Sequence, residues 1–291
     1  MPNLKIKEIL STISPKMTTY LMWFYNFRKP LDLKNPKDIN EKLQFLKLRT
    51  YYDNPTVTQC VDKWRVRKYL EDKGFAYILP GLYMGGITDP AELKAQWDCL
   101  PESFVVKCNH GCGYNILVKD KSLCDPDAVV AQLGKWMKED YWKFYCEPQY
   151  RNVKKCILVE EYLADGIDTY KFYCFNGEPK VLYVSENGPN GEKDLYLDYY
   201  DMEWNCLDIS LDGHLHSPTE RPRPKNFEEM VDLSRKLSCE FPFVRVDLYS
   251  VGDRVYFSEL TFIPTGGNMK LKPASYIEQW GEWLDLQGLA N

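Results

Sequence analysis

Nowhere does an apolar run approach the roughly 20 residues that a helix needs to cross a bilayer, so nothing in the sequence is built as a membrane span. Histidine is scarce, with three in 291 residues. Only His214 and His216 stand close enough to share an ion, and with no third clear ligand nearby a polar loop is preferred to a zinc site. No two of the ten cysteines are spaced C-x-x-C. No secretory leader precedes them and several fall in strand-like runs such as Phe104–Cys108, so reduced thiols and a cytoplasmic protein are expected. A basic face is missing too: the net charge is -5 and the lysines and arginines are scattered, which excludes a general nucleic-acid binder. The Walker phosphate-loop spacing and the dinucleotide fingerprint are also absent.

Core material is plentiful. At 44% hydrophobic residues the chain can fill one large domain or two ordinary ones. Residues 1–35 combine Lys5, Lys7, Lys16, Arg28 and Lys29 with the run Tyr20-Leu21-Met22-Trp23-Phe24-Tyr25; packing against a core is expected, with a membrane surface or a partner as the alternative. Asp38 and Glu41 have capping-box spacing and open a helix carrying Ile39, Leu43 and Leu46. A second helix follows Asn54-Pro55, with Val57, Cys60, Val61 and Trp64 on one face and Lys63 turned elsewhere. Tyr77 to Tyr83 reads as a strand interrupted by Pro80. Ser103–Cys108 and Asn115–Lys119 read as a hairpin whose tip bears Gly111 and Gly113. Glycines there let backbone N–H groups approach phosphate oxygens, with Lys107 adding a charge, although in isolation the motif reads first as a plain hairpin. Cys156–Leu163, Thr169–Phe175, 180–185 and 194–200 read as further strands, and the loop 208–225 is long enough to be a lid or an edge.

The most informative stretch is Phe243 to Asn268. Two strands joined at Gly252-Asp253 place Val244, Val246 and Leu248 on one face and Arg245, Asp247 and Tyr249 on the other. If Gly252-Asp253-Arg254 forms a three-residue loop, Asp247 lies opposite Glu259 and Arg245 opposite Thr261; a two-residue loop sets Glu259 opposite Val246, on the other face. The odd loop builds a pair of carboxylates whose repulsion a magnesium ion would relieve. A solvated sheet face is the competing reading. Arg245 beside the pair and the run Pro264-Thr265-Gly266-Gly267 just downstream weigh against it.

Taken in order, N-P-K-D-I-N-E-K-L-Q-F at 35–45, V-D-K-W-R-V-R at 61–67, V-V-K-C-N-H-G-C-G-Y-N at 105–115, V-E-E-Y-L at 159–163, Y-K-F-Y-C-F-N-G-E-P at 170–179 and the R-V-D hairpin ending in E-L-T-F-I-P resemble the ATP-grasp ligases. The likeness is closest to their TupA-like branch of teichuronopeptide and polysaccharide biosynthesis and covers nearly the whole chain. It implies an α+β, ATP-grasp fold: a short helical extension over 1–55, a lobe over 56–155 with the Lys107 strand and glycine loop, and a lobe over 156–291 with the adenine edge and metal hairpin. Antiparallel sheets of the two lobes would enclose ATP. On that pattern Lys63, Lys107 and Lys171 face the nucleotide's charge, and the loop through His110, Gly111 and Gly113 closes over the phosphates. Glu160, Glu161, Tyr162 and Leu163 supply the adenine edge, and Asp168 the ribose contact. Asp247, Glu259 and Thr261 hold Mg2+, Thr261 standing where such ligases usually have asparagine. Arg245, with Lys107, acts on the transferred phosphoryl group.

The chemistry so implied is phosphorylation of a carboxylate by ATP, followed by displacement of phosphate by an amine to leave an amide. The carboxylate would be a uronic-acid unit of a cell-surface glycan, and the second substrate an amine or amino acid. Two other classes remain beside it. One is a sugar transferase using Asp194 and Asp198, or His214 and His216, as metal ligands. The other is a nucleotide-binding module without turnover, docked through its aromatic N-terminus to a membrane or to polysaccharide-assembly partners.

Overall fold

Side-chain caps explain where the first helices start. After α1 (Leu4–Ile13), α2 (Pro15–Phe27) begins at Ser14, whose hydroxyl accepts the Met17 N–H at 3.2 Å. Next, α3 (Ile39–Leu48) begins at Asp38, and α4 (Pro55–Val61) at Asn54 with proline in its first turn, where the missing N–H costs nothing. Half of the expected capping box forms: Asp38 accepts the Glu41 N–H at 2.9 Å, while the Glu41 carboxylate takes the Lys37 N–H instead. The helix α5 (Arg65–Asp72) follows at once. These observations come from a computed structural model, which describes residues 4–188, 191–212 and 214–289, the side chains of 4, 187–188 and 191–194 excepted.

A small antiparallel sheet comes next. Its strands are β1 (Leu82–Ile87), β2 (Phe104–Cys108), β3 (Asn115–Val118) and β4 (Ile157–Glu161), in the order β1-β4-β2-β3. The strand expected from Tyr77 starts only at Leu82, after Pro80, which has no N–H to give a ladder. Helices α6 (Pro90–Ala95) and α7 (Pro126–Trp136) close its core around Leu93, Phe104, Val106, Leu133 and Val159, and α8 (Tyr141–Tyr145) leads back. The family resemblance puts 156–163 in the second lobe. Instead β4 is an inner strand of the small sheet, paired with β1 and β2, Val159 lying opposite both Met84 and Val106, and Ile157, Leu158 and Val159 are all fully buried there.

The larger sheet has the order β11-β10-β5-β6-β7-β8, from β5 (Thr169–Phe175), β6 (Glu178–Gly188), β7 (Gly191–Tyr200), β8 (Cys206–Leu207), β10 (Phe243–Val251) and β11 (Arg254–Thr261). Between them, β9 (Ser210–Leu211) pairs with β12 (Leu271–Lys272), and α9 (Phe227–Ser238) packs on β5, β6 and β10 through Met230, Leu233 and Leu237. The C-terminal α10 (Ser275–Trp283) sets Trp280 against Tyr173. With β9 and the bridge from Tyr196 to Leu215, the 208–225 segment lies along a sheet edge. The core of this sheet also takes in Trp23, Ile39, Leu43, Val57, Val61, Val66 and Leu70, so α3 to α5 pack with the large sheet, while the buried members of the small core described here run from Ile87 to Val159, with Met84 packed against them. Of the Tyr20–Tyr25 run, Trp23 is buried, Met22 is half-buried, and Tyr20, Leu21, Phe24 and Tyr25 are exposed.

Tyr51 clamps the start of β10. Its buried hydroxyl donates to the Phe243 carbonyl at 2.5 Å and accepts the Phe243 N–H at 3.1 Å. Tyr51→Phe leaves two buried backbone groups unpaired and is expected to lower stability by about 1–3 kcal/mol, read as a lower urea midpoint at unchanged slope; an unchanged midpoint would contradict the clamp.

Candidate active site

The hairpin that carries the carboxylates has its odd residue in a strand and not in the turn. Val251 pairs with Arg254 and Tyr249 with Tyr256, so Gly252 and Asp253 alone make the turn. Gly252 has φ +59°, as a tight hairpin with glycine first requires. Continued unbroken, that register would set Glu259 opposite Val246. A bulge intervenes: Leu248 pairs with Phe257 and Asp247 with Glu259, leaving Ser258 as the extra residue. The expected three-residue loop is therefore corrected, yet the expected pairing is reached, and Arg245 lies opposite Thr261.

These groups meet on one face. Arg245 donates from Nε and Nη2 to the two oxygens of Asp247, both at 2.7 Å, and from Nη2 to Thr261 Oγ1 at 3.0 Å. Lys171, opposite Asp247 on β5, donates to Asp247 Oδ2 at 3.0 Å. Glu259 lies 3.6 Å from Lys63 Nζ, 3.6 Å from Arg245 Nη2 and 3.3 Å from the Thr261 hydroxyl. Burial would raise its carboxyl, but Lys63, Lys171 and Arg245 outweigh that and hold it down at about 2. Burial alone would lower the pKa of Lys171, and Asp247 reverses this and raises it. Side-chain cations thus relieve the repulsion that the sequence reading gave to magnesium. The donor set still fits a hard divalent ion, being two carboxylates and a hydroxyl. Glu259 faces the open side, whereas Asp247 is wholly buried with both oxygens engaged. Among the described residues no three His, Cys, Asp or Glu side chains converge as a metal site, either here, where only Asp247 and Glu259 meet, or elsewhere.

Above this floor, Lys63 ties two elements together: its Nζ donates to the Gly111 carbonyl at 2.6 Å as well as facing Glu259. Sequence reasoning missed what aims it. Asp62 accepts from Trp64 N, Arg65 N and Asn109 Nδ2 at 2.8–3.1 Å, and Asn109 bonds the Cys156 backbone through its own N–H and its side-chain oxygen. Lys107 meets Glu160 at 2.6 Å, and Arg67 meets the same carboxylate at 2.7 Å. The gap among Lys63, Arg67, Lys107 and Glu160 measures about 10 Å³, room for about one water. Glu161 is bound to Gly81 through both backbone and carboxylate, and Tyr162 and Leu163 lie beyond the end of β4.

Other predicted residues have local partners. His110 is buried, with Nε2 3.0 Å from the Trp136 carbonyl, and burial pushes it down to about 4; its neutral side chain anchors the glycine loop to α7. Gly111 backs onto Tyr141, whose ring would lie 2.7 Å from any added Cβ, and Gly113 has φ +76°. Asp168 accepts from Arg221 at 3.2 Å, and Arg221 also holds Asp198 and Glu186. His216 lies 3.5 Å from Asp198, but that carboxylate is already committed to Arg221 and the Ser217 N–H; the side chain of Asp194 falls outside the described residues.

Beside the floor opens a cavity of about 750 Å³. Arg245, Glu259 and Thr261 face it from below and Cys112 and Gly113 from the glycine loop, while Tyr141, Tyr145, Glu147 and Tyr150 form one wall. Another wall was not foreseen: Lys7, Met22 and Asn26 of the N-terminal helices, with Asn26 bonded to Asn268 at 3.2 Å. Thr265, Gly266 and Gly267 turn the chain through left-handed conformations along the rim, held by Gln44 on the carbonyls of both glycines. Burial lifts Glu147 to about 7 against the opposing pull of the buried Lys47.

The sequence profile of the TupA-like ATP-grasp family matches residues 41–285. The chain belongs to that family. Solved structures similar to this TupA-like ATP-grasp protein include the ATP-grasp ligase PsnB bound to a minimal precursor (13% identity, TM-score 0.42, 72% of this chain and 54% of that one). Others are the D-alanine–D-alanine ligase of Helicobacter pylori (16%, 0.41, 78% and 61%) and the N5-carboxyaminoimidazole synthase of Aspergillus clavatus (12%, 0.42, 71% and 45%). The chain thus spans between 45% and 61% of those ligases. No curated protein matches it in sequence.

Two measurements test the floor of this ATP-grasp protein. Asp247→Ala leaves the buried Arg245 and the half-buried Lys171 without their shared anion, so a loss of about 3–5 kcal/mol is expected in urea unfolding; a stable variant would contradict the network. Glu259 has its folded pKa below the ordinary 4.5, so its stabilisation is complete above that pH and is lost as pH falls towards 2. Glu259→Gln should flatten the acid side of the stability curve, whereas an acid limb identical to wild type would place the cations elsewhere.

Proposed function

We propose that this chain is an ATP- and magnesium-dependent carboxylate–amine ligase working through an acyl phosphate. Its acceptor would be a uronic acid or similar carboxylate in cell-surface polysaccharide biosynthesis, and its nucleophile an amine or amino acid. The observation that carries the reading is the single-faced floor of Arg245, Asp247, Glu259 and Thr261 beneath the glycine loop, with Lys63 joining the two, in a chain of the TupA-like ATP-grasp family.

In this reading the triphosphate takes over cations that carboxylates now occupy. Lys107 exchanges Glu160 for phosphate oxygens and Lys63 exchanges Glu259, so the nucleotide opens the gap between the lobes as it binds. The backbone of Glu160 to Leu163 meets adenine and Asp168 the ribose, with Lys171 bonded to Asp247 beneath the phosphates. Glu259 and Thr261, with Asp247 once Arg245 or Lys171 yields one of its oxygens, are the residues that would hold magnesium, which would supply positive charge to offset that on the transferring phosphoryl group. Arg245 then faces the oxyanion formed when the amine attacks. The cavity beside Arg245 takes the carboxylate and the amine, and its tyrosines keep water from the acyl phosphate.

Incubation with ATP, magnesium, a uronate and an amine should release ADP and phosphate together with an amide one water lighter than its parts. Consumption of a sugar nucleotide instead would favour a transferase, and nucleotide binding without turnover a non-catalytic module. Lys107→Met is expected to weaken ATP binding by about 10- to 100-fold, one charge-assisted contact. Unchanged affinity by calorimetry would remove Lys107 from the phosphate site.

A further inference from the structure

The helices α1 and α2 are amphipathic in the inverse sense. Lys7 and Ser11 of α1 are buried, while Ile6, Ile9 and Ile13 are 51%, 60% and 68% exposed. Thr18 and Thr19 of α2 are buried beside Trp23, while Leu21 and Phe24 stand at least half exposed. Covering hydroxyls while showing isoleucine and phenylalanine to water forfeits apolar burial on the outside and desolvates polar groups on the inside. A helix pair of this pattern is matched to an apolar surface beyond its outer face.

Charge selects the kind of surface. Residues 4–29 hold five Lys or Arg and a single Glu within a chain of net -5; Lys7 is buried and Lys29 is paired with Asp38 and Glu41, and Lys5, Lys16 and Arg28 are exposed on the two helices and at the end of α2. A second copy of the chain on this face would set like charge against like. An anionic bilayer offers an apolar layer beneath opposite charge, the combination that interfacial helices with basic flanks match.

We propose that the outer face of α1 and α2 docks the protein peripherally on an anionic lipid surface. Lys7, Met22 and Asn26 of the same helices wall the reaction cavity, so docking holds that cavity about one helix diameter, ~10 Å, from the lipid. A lipid-linked acceptor is then within reach; this consequence rests on the ligase reading, and the docking does not.

The test is flotation of the full chain, without nucleotide, on vesicles of phosphatidylcholine alone and of phosphatidylcholine with phosphatidylglycerol. Binding is expected on the anionic vesicles, at least ~10-fold tighter than on neutral ones and weakened by salt. Ile9→Asp with Phe24→Asp should reduce it by ~10-fold or more, and circular dichroism should show the fold retained because both sites are exposed. Lys5→Glu with Lys16→Glu keeps the apolar face and should weaken binding comparably; it decides the matter should the first variant not fold. Equal binding to neutral vesicles, binding unchanged in the variants, or no binding at all would overturn the proposal. So would self-association without vesicle binding, which would give the face to a second copy. Because no turnover is measured, failure here leaves the ligase reading intact.

Discussion

The site hangs on the buried pairing of Arg245 with Asp247. The carboxylate has no exposed surface, and both its oxygens are held by the guanidinium, with Lys171 of the neighbouring strand as a second cation. Buried charges are tolerated only when each has its partners, so the register of β10 against both β5 and β11 is constrained by electrostatics as well as by packing. A one-residue slip would turn Glu259 from the cavity into the apolar layer of Val244 and Val246. The Ser258 bulge prevents this: it lets a tight glycine turn and a one-faced polar floor coexist in the same hairpin.

A second constraint is the exchange of partners between carboxylates and cations. Lys63, Lys107 and Arg67 are each within 2.6–3.6 Å of a glutamate. Under the proposed reading phosphate oxygens would take those cations from the glutamates, whose own charge stays in the site, so a triphosphate would bring an excess of negative charge that calls for a divalent ion. The glycine loop answers to the same pairs, because Lys63 grips the Gly111 carbonyl and the Glu259 side together, so under the proposed reading a phosphate that drew Lys63 away would also release the loop.

Much of this was legible in the sequence because it is periodic or local. Alternation placed Arg245 and Asp247 on one face, glycine marked the turn, and Asp38 and Asn54 announced their helices. The bulge was not legible, since inserting Ser258 in the strand or Arg254 in the turn gives the same pairing further on. Assignment of β4 failed for a related reason: an apolar run reports that it is buried but not which sheet buries it. Glu160 was read as a backbone contact, though its side chain is the counter-ion of Lys107 and Arg67. That pairing, like the Asp62–Asn109 link, joins residues more than 45 positions apart, beyond any local pattern. The N-terminal helices looked like a covered extension because their composition is apolar; the inversion of their faces appears only once burial is known.

The central claim is that the floor of β10 and β11 is a magnesium-assisted site for a triphosphate. Calorimetric titration of ATP into the wild-type chain and into Glu259→Gln, each with and without magnesium, tests it most directly. Magnesium is expected to tighten ATP binding to the wild type, and Glu259→Gln to lose most of this gain while binding metal-free ATP at least as tightly as the wild type, because Lys63 is freed. Magnesium enhancement of equal size in both proteins, or ATP binding indifferent to magnesium in the wild type, would contradict it.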